Sequence, residues 1–186
     1  MSPEALESLL IGARETDSVE FKAATEWNKN TFVKDILALA NVIDGGSIIV
    51  GVEDGTFVRQ GLSPEQIATF DYDVMRDQID PYADPRVIFS KQILQDPGGL
   101  SFAVIEVTPF EELPVICARD GQDITAGTIY FRSRARRPES ARIARAEDMR
   151  EIIEISISRR SRTLRRAGFI AHEEGQHALN DELGGL

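Results

Sequence analysis

The sequence is poor in cysteine and has no long hydrophobic run, and each scarcity excludes a class of protein. Its one cysteine, Cys117, cannot form an intramolecular disulfide and leaves no cysteine-based zinc site. No apolar run approaches the ~20 residues that a membrane-spanning helix requires. The first ten residues carry two glutamates and no basic residue, which does not fit a signal peptide. We therefore expect a cytoplasmic protein, kept in a reducing compartment, with no membrane partner.

The motifs of two common sites are also missing. His172 and His177 are five residues apart, whereas a zincin helix places its two histidines four apart. A P-loop needs Gly-Lys-Ser or Gly-Lys-Thr after its glycines, and neither follows Gly45-Gly46. A zincin-type metal site is thus excluded, and no ATP is expected.

Positive charge is scarce overall but concentrated in one region. The formal net charge is −10, yet residues 132 to 166 hold 12 arginines against five acids. Arginine's planar fork matches phosphate oxygens, so a basic stripe on an acidic protein can still bind nucleic acid. Six arginines within fourteen residues are the best candidates for phosphate contacts: Arg132, Arg134, Arg136, Arg137, Arg142 and Arg145. The alternative is that they pair with the acidic surface of residues 1 to 131, within the chain or across a dimer.

Hydrophobic periodicity in the first third of the chain predicts a helix at 2–11, then strand, helix, glycine turn and strand. Ser18–Lys22 alternates, so Val19 and Phe21 are expected in the core and Glu20 and Lys22 on the outer face. A helix capped by Asn30 or Thr31 follows and stops at the glycine pair, before a buried strand at 48–52.

The rest of the chain predicts an α+β fold, a mixed β-sheet with packed helices. A helix is expected at 63–79, and two strands, 86–94 and 100–107, flank the turn at 96–99. Short strands are expected at 113–117 and 127–132, and a long helix at 146–166. We expect a single domain over residues 1–168, with its motif core at 12–150, and a polar C-terminal tail at 169–186.

Five motifs, in the same order as in the family, resemble the Schlafen AlbA-like domain, whose prokaryotic members are also called divergent AAA proteins. The resemblance covers about residues 10 to 150 and implies the AlbA-like lobe as the fold. The motifs are Glu15-x4-Glu20-Phe21-Lys22, Ala38-x-Ala40-Asn41, Gly45-Gly46, Gly51-Val52-x-Asp54-Gly55 and Tyr130-Phe131-Arg132-Ser133.

The resemblance implies a function as well. In RNA-cleaving Schlafens the acids that match Glu15, Glu20 and Asp54 form the nuclease triad. It therefore implies a metal-dependent endoribonuclease that uses Mg²⁺ or Mn²⁺ on structured RNA such as tRNA. The same acidic positions recur in members known only as DNA-binding or regulatory, so a non-enzymatic DNA- or RNA-binding regulatory domain is the alternative. Larger Schlafens surround RNA with two such lobes, and one lobe here implies a homodimer.

Taken alone, the residues of this acidic group leave two interpretations open. Hard divalent cations favour carboxylate oxygens, so the three acids could hold one or two metal ions. In the other interpretation, Glu20 pairs with Lys22 or an arginine, and Asp54 is a turn residue. Lys22 itself could contact a phosphate or pair with Glu20.

Overall fold

The computed structural model describes residues 1–12, 14–132 and 139–169. A 3-10 turn, Asp80–Tyr82, joins the fourth helix to the third strand. The helices and strands in chain order are α1 (Pro3–Ile11), β1 (Val19–Lys22), α2 (Lys29–Ala40), β2 (Gly46–Val50), α3 (Pro64–Thr69), α4 (Tyr72–Ile79), β3 (Ala83–Asp84), β4 (Phe89–Gln95), β5 (Ser101–Val107), β6 (Ile116–Cys117), β7 (Tyr130–Phe131), β8 (Ala141–Arg142) and α5 (Ala146–Arg166).

A mixed four-stranded sheet, in the order β1-β2-β5-β4, organises the fold. β1 and β2 are parallel, and the other two pairings are antiparallel. On one face, Phe21, Ile49 and Val104 lie side by side and pack with Leu6 and Leu10 of α1. The opposite face packs against α2 and the larger hydrophobic core. The α+β class predicted from the sequence is therefore confirmed.

The helix α2 begins earlier than the sequence predicts, because its cap is Asn28 and not Asn30 or Thr31. The Asn28 side chain accepts a hydrogen bond from the backbone N–H of Asn30, which satisfies one of the free donors of the first turn. The helix ends at Ala40, and Gly45, with φ of 70°, turns the chain into β2. The strand accordingly runs from 46 to 50 and not from 48 to 52.

The single helix predicted at 63–79 is divided into α3 and α4. Asp71 interrupts it, because its side chain accepts a hydrogen bond from the backbone N–H of Val74 and caps a new helix. Met75 and Ile79 of α4 then point into the core. The second helix stops at the predicted place, at Asp80.

Two predicted strands are shorter than expected because a side chain replaces part of the ladder. The strand predicted at 113–117 is reduced to β6, since the backbone N–H and C=O of Val115 bond to the side chain of Asn41. The strand predicted at 127–132 is reduced to β7. Cys117, the second residue of β6, is buried, and burial raises the pKa of its thiol.

The last helix, α5, has the bounds that the sequence predicts, and Ile152 and Ile155 anchor it to the core. Within residues 1–12, 14–132 and 139–169, no helix is long and apolar enough to cross a membrane. Residues 170–186, almost all of the predicted tail, lie outside the described residues, so that prediction stays open.

Candidate functional site

A polar cavity of about 510 Å³ lies beside β1, the edge strand that meets α2. Six carboxylates and two lysines are among the side chains around it. All three acids of the predicted triad belong to this lining, as does Lys22. The lining residues are Glu15, Glu20, Lys22, Asn28, Asn30, Thr31, Lys34, Asp35, Asp54, Gln122, Asp123, Glu139 and Ser140.

Glu20 lies on the α2 face of the sheet, in register with the fully buried Ile48 and, through it, with Ile105. The prediction that Glu20 and Lys22 share a face is confirmed, but that face is covered and not outward. Glu20 is only 9% exposed. Its Oε1 accepts a 2.6 Å hydrogen bond from Lys22 Nζ, and its Oε2 accepts one of 2.6 Å from Arg132 Nη1. Both carboxylate oxygens are thus engaged by cations, as the pairing interpretation predicts.

Asp35 completes this charged network, and sequence reasoning missed it. Its Oδ2 lies 2.7 Å from Lys22 Nζ, although Asp35 occupies a buried position on α2 between Phe32 and Leu39. Burial alone would lower the pKa of Lys22, but Asp35 and Glu20 outweigh it and raise that pKa above its usual value. The available signal was an aspartate within a run of apolar helix residues, since buried charges are normally paired.

Arg132 corrects the prediction of a phosphate contact. Its side chain is fully buried, and its guanidinium donates to Glu20, to Ser140 Oγ at 3.2 Å and to the backbone oxygens of Thr16 and Val19 at 2.9 and 3.3 Å. A guanidinium enclosed in this way is inaccessible to a nucleic-acid backbone. The role of Arg132 is to position Glu20 and to tie β7 to β1.

Asn41 helps to hold Arg132 in place by bonding to β7, the strand that precedes it. Its side-chain amide donates to the carbonyls of Leu37, Val115 and Tyr130 and accepts from the Val115 N–H, while the residue is fully buried. The bond to Tyr130 fixes the strand that delivers Arg132. The Ala-x-Ala-Asn motif is therefore structural, and it acts on the site through this strand.

Glu15 and Asp54 approach the same network from the solvent side. Burial, and next the adjacent carboxylate of Glu20, raise the pKa of Glu15 to about 7 against the opposing effect of Arg132, while Asp54 adds a smaller upward contribution. Glu20 thus lies close enough to Glu15 for its negative charge to favour the protonated form of Glu15. Asp54 lies on the exposed turn after β2.

The predicted metal site stays a prediction, because the described side chains, as arranged, form no ready ligand set. Among the residues the structure describes, no group of three or more His, Cys, Asp or Glu side chains is placed to hold a metal ion. The physical reason is the engagement of Glu20, since Lys22 and Arg132 occupy the oxygens that a cation would need. The three acids share a cavity, but their carboxylates do not form a ligand set.

The other predicted phosphate contacts divide into two groups. Arg142 and Arg145 are exposed, on β8 and immediately before α5. Arg134, Arg136 and Arg137 lie outside the described residues. Glu139 and Ser140, the first described residues after 133–138, both line the cavity.

A comparison with protein families found a match to the model described as "Schlafen, AlbA_2" over residues 15–139. Among curated proteins, none matches the sequence. The DIP2311 protein from Corynebacterium diphtheriae has a similar structure, with a TM-score of 0.53 and 19% identity over 83% of this chain. This chain spans only 28% of that protein's length, and the likeness concerns the fold alone. The N-terminal domain of a RecG-related protein from Nitrosomonas europaea has a TM-score of 0.49 and 21% identity, covering 68% of this chain and 86% of that domain.

Proposed function

This chain belongs to the Schlafen, AlbA_2 family, and on that premise we propose that it binds nucleic acid through an arginine-rich segment. The segment runs from 134 to 145 and carries Arg134, Arg136, Arg137, Arg142 and Arg145. Structured RNA such as tRNA is the proposed ligand, and DNA is the alternative.

One observation carries the proposal: the described residues that precede and follow 133–138 lie at the cavity. Arg132, which precedes this stretch, is bonded to the cavity residue Glu20. Glu139 and Ser140, after it, belong to the cavity wall. The arginines between and just after these points are therefore close in the chain to the site, while residues 1 to 131, with 9 basic and 22 acidic side chains, repel phosphate.

The arginines and the cavity have opposite electrostatic roles in this proposal. Each arginine that neutralises a phosphate releases counterions, so binding should weaken as salt rises. The carboxylates of the cavity repel phosphates, so the backbone of the ligand is expected along the rim and not inside. Contacts of this type position a nucleic acid without reading its sequence.

Binding can be tested by titrating labelled tRNA and duplex DNA with the protein at several salt concentrations. The variant replaces Arg134, Arg136, Arg137, Arg142 and Arg145 with alanine. We expect weaker binding and a log–log salt slope that is shallower by about 0.7 to 0.9 for each phosphate that is no longer neutralised. The control removes two exposed or half-exposed arginines that do not line the cavity, Arg76 and Arg86, and should keep the wild-type slope. Equal slopes for wild type and the five-arginine variant would refute the proposal.

A second candidate function is metal-dependent cleavage of RNA, with Mg²⁺ or Mn²⁺ as the cofactor. The observation that favours it is the shared cavity of Glu15, Glu20 and Asp54. We derive no catalytic step from it, because the carboxylates as arranged do not form a ligand set.

Cleavage is tested by incubating tRNA with the protein in Mn²⁺ or in EDTA. The informative variant is Asp54→Asn, because Asp54 is exposed and takes no part in the bonds that engage Glu20. Products that disappear with EDTA and with Asp54→Asn would support the enzyme. Binding without cleavage under every condition would favour the non-enzymatic regulatory domain.

A further inference from the structure

A second polar groove, the α5 groove, lies along the last helix and shares no residue with the acidic cavity. It has a volume of about 690 Å³ and lies between the C-terminal half of α5 and the segments that follow α2 and β5. Side chains three, four and seven residues apart share one face of a helix, so α5 presents its three groove arginines together. The charged residues of the lining are Arg159, Arg162, Arg166, Asp44, Glu111 and Glu112.

Arg159 is held in this groove by contacts on two sides. Its guanidinium lies over the Phe110 ring, 4.5 Å from the ring centre, and its Nη2 donates a hydrogen bond to the backbone oxygen of Ile43. Its Nε is enclosed and has no hydrogen-bond partner among the described residues. The guanidinium is therefore oriented before any ligand arrives, and such preorganisation lowers the entropic cost of binding.

The charge of Arg159 is only partly offset by its neighbours. Burial, and next the charge of Arg162, lower the pKa of Arg159, and Asp44 opposes them only in part. Arg59, by contrast, is bonded to Glu7 and to a second carboxylate, which raise its pKa. The helix dipole does not account for Arg159 either, because this residue lies seven positions before the end of α5 and the dipole acts within the last turn. An anion in the groove would supply the opposite charge.

We propose that the α5 groove binds a phosphate group, which Arg159 contacts from its fixed position and Arg162 and Arg166 contact from the exposed part of the helix. Arginine's planar fork matches two phosphate oxygens at once. The phosphate belongs either to a nucleic-acid backbone or to a free phosphorylated molecule, since both present the same oxygens. The groove shares no residue with the segment 134–145, so its phosphate site does not rest on the proposed function.

The carboxylates of the groove have to be weighed against this site. Glu112 is paired with Arg160 at 3.7 Å, which offsets its charge in part. Glu111 is exposed and lines the groove, so its carboxylate repels a bound phosphate. The alternative is that the arginines serve only as partners of these acids. Under that alternative, removing groove arginines would leave phosphate binding unchanged.

Inorganic phosphate is the probe for the first test. It is titrated into the full chain at constant ionic strength and followed by nuclear magnetic resonance, with chloride as the control anion. The double variant Arg162→Ala/Arg166→Ala should raise the dissociation constant for phosphate at least about tenfold, because it removes two charged hydrogen-bond donors. The matched control, Arg150→Ala/Arg165→Ala, removes two arginines of the same helix outside the groove and should keep the wild-type affinity. All four arginines are exposed, so both variants should keep their fold.

Labelled tRNA, titrated at several salt concentrations with the same variants, identifies the source of the phosphate. A salt slope that is shallower by about 0.7 to 0.9 for each lost contact would assign the site to a nucleic-acid backbone. Phosphate binding that depends on the groove, with an unchanged tRNA slope, would assign it to a free phosphorylated molecule. The five-arginine variant described above keeps every groove residue, so its effect on tRNA binding tests the proposed function alone.

Glu111→Gln provides a test in the opposite direction. It removes a repelling carboxylate, so it should strengthen whichever binding the groove variant weakens, that of phosphate or of tRNA. Unchanged or weaker binding by Glu111→Gln would contradict the site. The proposal is overturned if Arg162→Ala/Arg166→Ala alters neither phosphate nor tRNA binding, or if the matched control alters them equally.

Discussion

Arg132 Nη1 lies 2.6 Å from Glu20 Oε2, and this buried ion pair joins two motifs that are 112 residues apart in the chain. Glu20 has Lys22 as a second cationic partner, and Lys22 is in turn held by Asp35. The network therefore alternates in sign from the edge of β7 across β1 to α2. Such an arrangement is stable only while every member is present, because the loss of one leaves a buried charge unpaired.

Replacing Arg132 with alanine should destabilise the fold strongly. The change leaves the buried carboxylate of Glu20 with one cation and removes the bonds to Thr16 and Val19. We expect a loss of about 3–5 kcal/mol in the free energy of unfolding, measured by urea denaturation. Arg142→Ala, at an exposed arginine on β8, should change that free energy by less than ~0.5 kcal/mol. Similar small losses for both variants would contradict a structural role for Arg132.

Stability should fall as the pH rises through the range in which Glu15 ionises. The folded-state pKa of Glu15, about 7, lies above its ordinary value of 4.5. Between these values the folded protein holds a proton that the unfolded chain has released, so the favourable contribution is complete below 4.5 and is lost above 7.

Glu15→Gln, which mimics the protonated acid, should therefore gain stability relative to wild type as the pH increases. Urea denaturation at pH 5 and pH 8 would measure the difference between the two proteins at each pH. The control Glu26→Gln, at an exposed glutamate away from the cavity, should show no such trend. A Glu15→Gln difference that is the same at both pH values would show that Glu15 is not ionising in this window.

Asp35→Asn should weaken the fold by removing one of the two carboxylates around Lys22. The ammonium keeps Glu20 as a partner, so the expected loss is smaller than for Arg132→Ala, about 1–3 kcal/mol. Thermal unfolding can measure it, with Asp77→Asn, at a carboxylate that is 71% exposed, as the control. If the two variants melt at the same temperature, Asp35 contributes no more than a surface charge does.

Gly46→Ala should destabilise the turn into β2. An alanine Cβ at this position would lie 2.5 Å from the backbone oxygen of Ser18 and 2.5 Å from Leu39 Cδ2. The backbone atom cannot move aside easily, and overpacking of this kind costs typically about 1–3 kcal/mol. The control is Gly12→Ala, whose Cβ would meet nothing closer than 3.7 Å. Equal urea midpoints for the two variants would show that the close approach at Gly46 is relaxed in solution.

Local sequence signals predicted the helices and strands better than they predicted which faces of those elements are covered by other elements. Periodicity predicted the bounds of α5, and alternation correctly placed Glu20 and Lys22 on one face. What alternation cannot show is whether a face meets solvent or another helix, because the sequence of β1 says nothing about α2 packing over it. The division at Asp71 was missed for a similar reason, since a capping bond competes with helix continuation at a single residue.

The sequence predicted which acids belong to the candidate site better than it predicted the contacts that their side chains make. The acids Glu15, Glu20 and Asp54 do line one cavity. The burial of Arg132 was not predictable from an arginine-rich segment, because the neighbouring arginines have the same local sequence character. The position of Asp35 among apolar residues of α2 indicates a buried charge but does not identify Lys22, 13 residues away, as its partner. The role of Asn41 likewise becomes clear only when its bond to Tyr130, 89 residues away, is known.

The position of Cys117 gives the molecule an internal reporter of conformational opening. The thiol is enclosed, and its Sγ lies 3.2 Å from the carbonyl oxygen of Arg119, so an alkylating reagent can reach it only when the β3–β6 edge separates. Because the sequence contains no other cysteine, the labelling signal is free of competing sites. Labelling rates in native buffer would then measure how often this edge opens. Their comparison with global unfolding would distinguish a locally opening unit from a domain that unfolds as a whole.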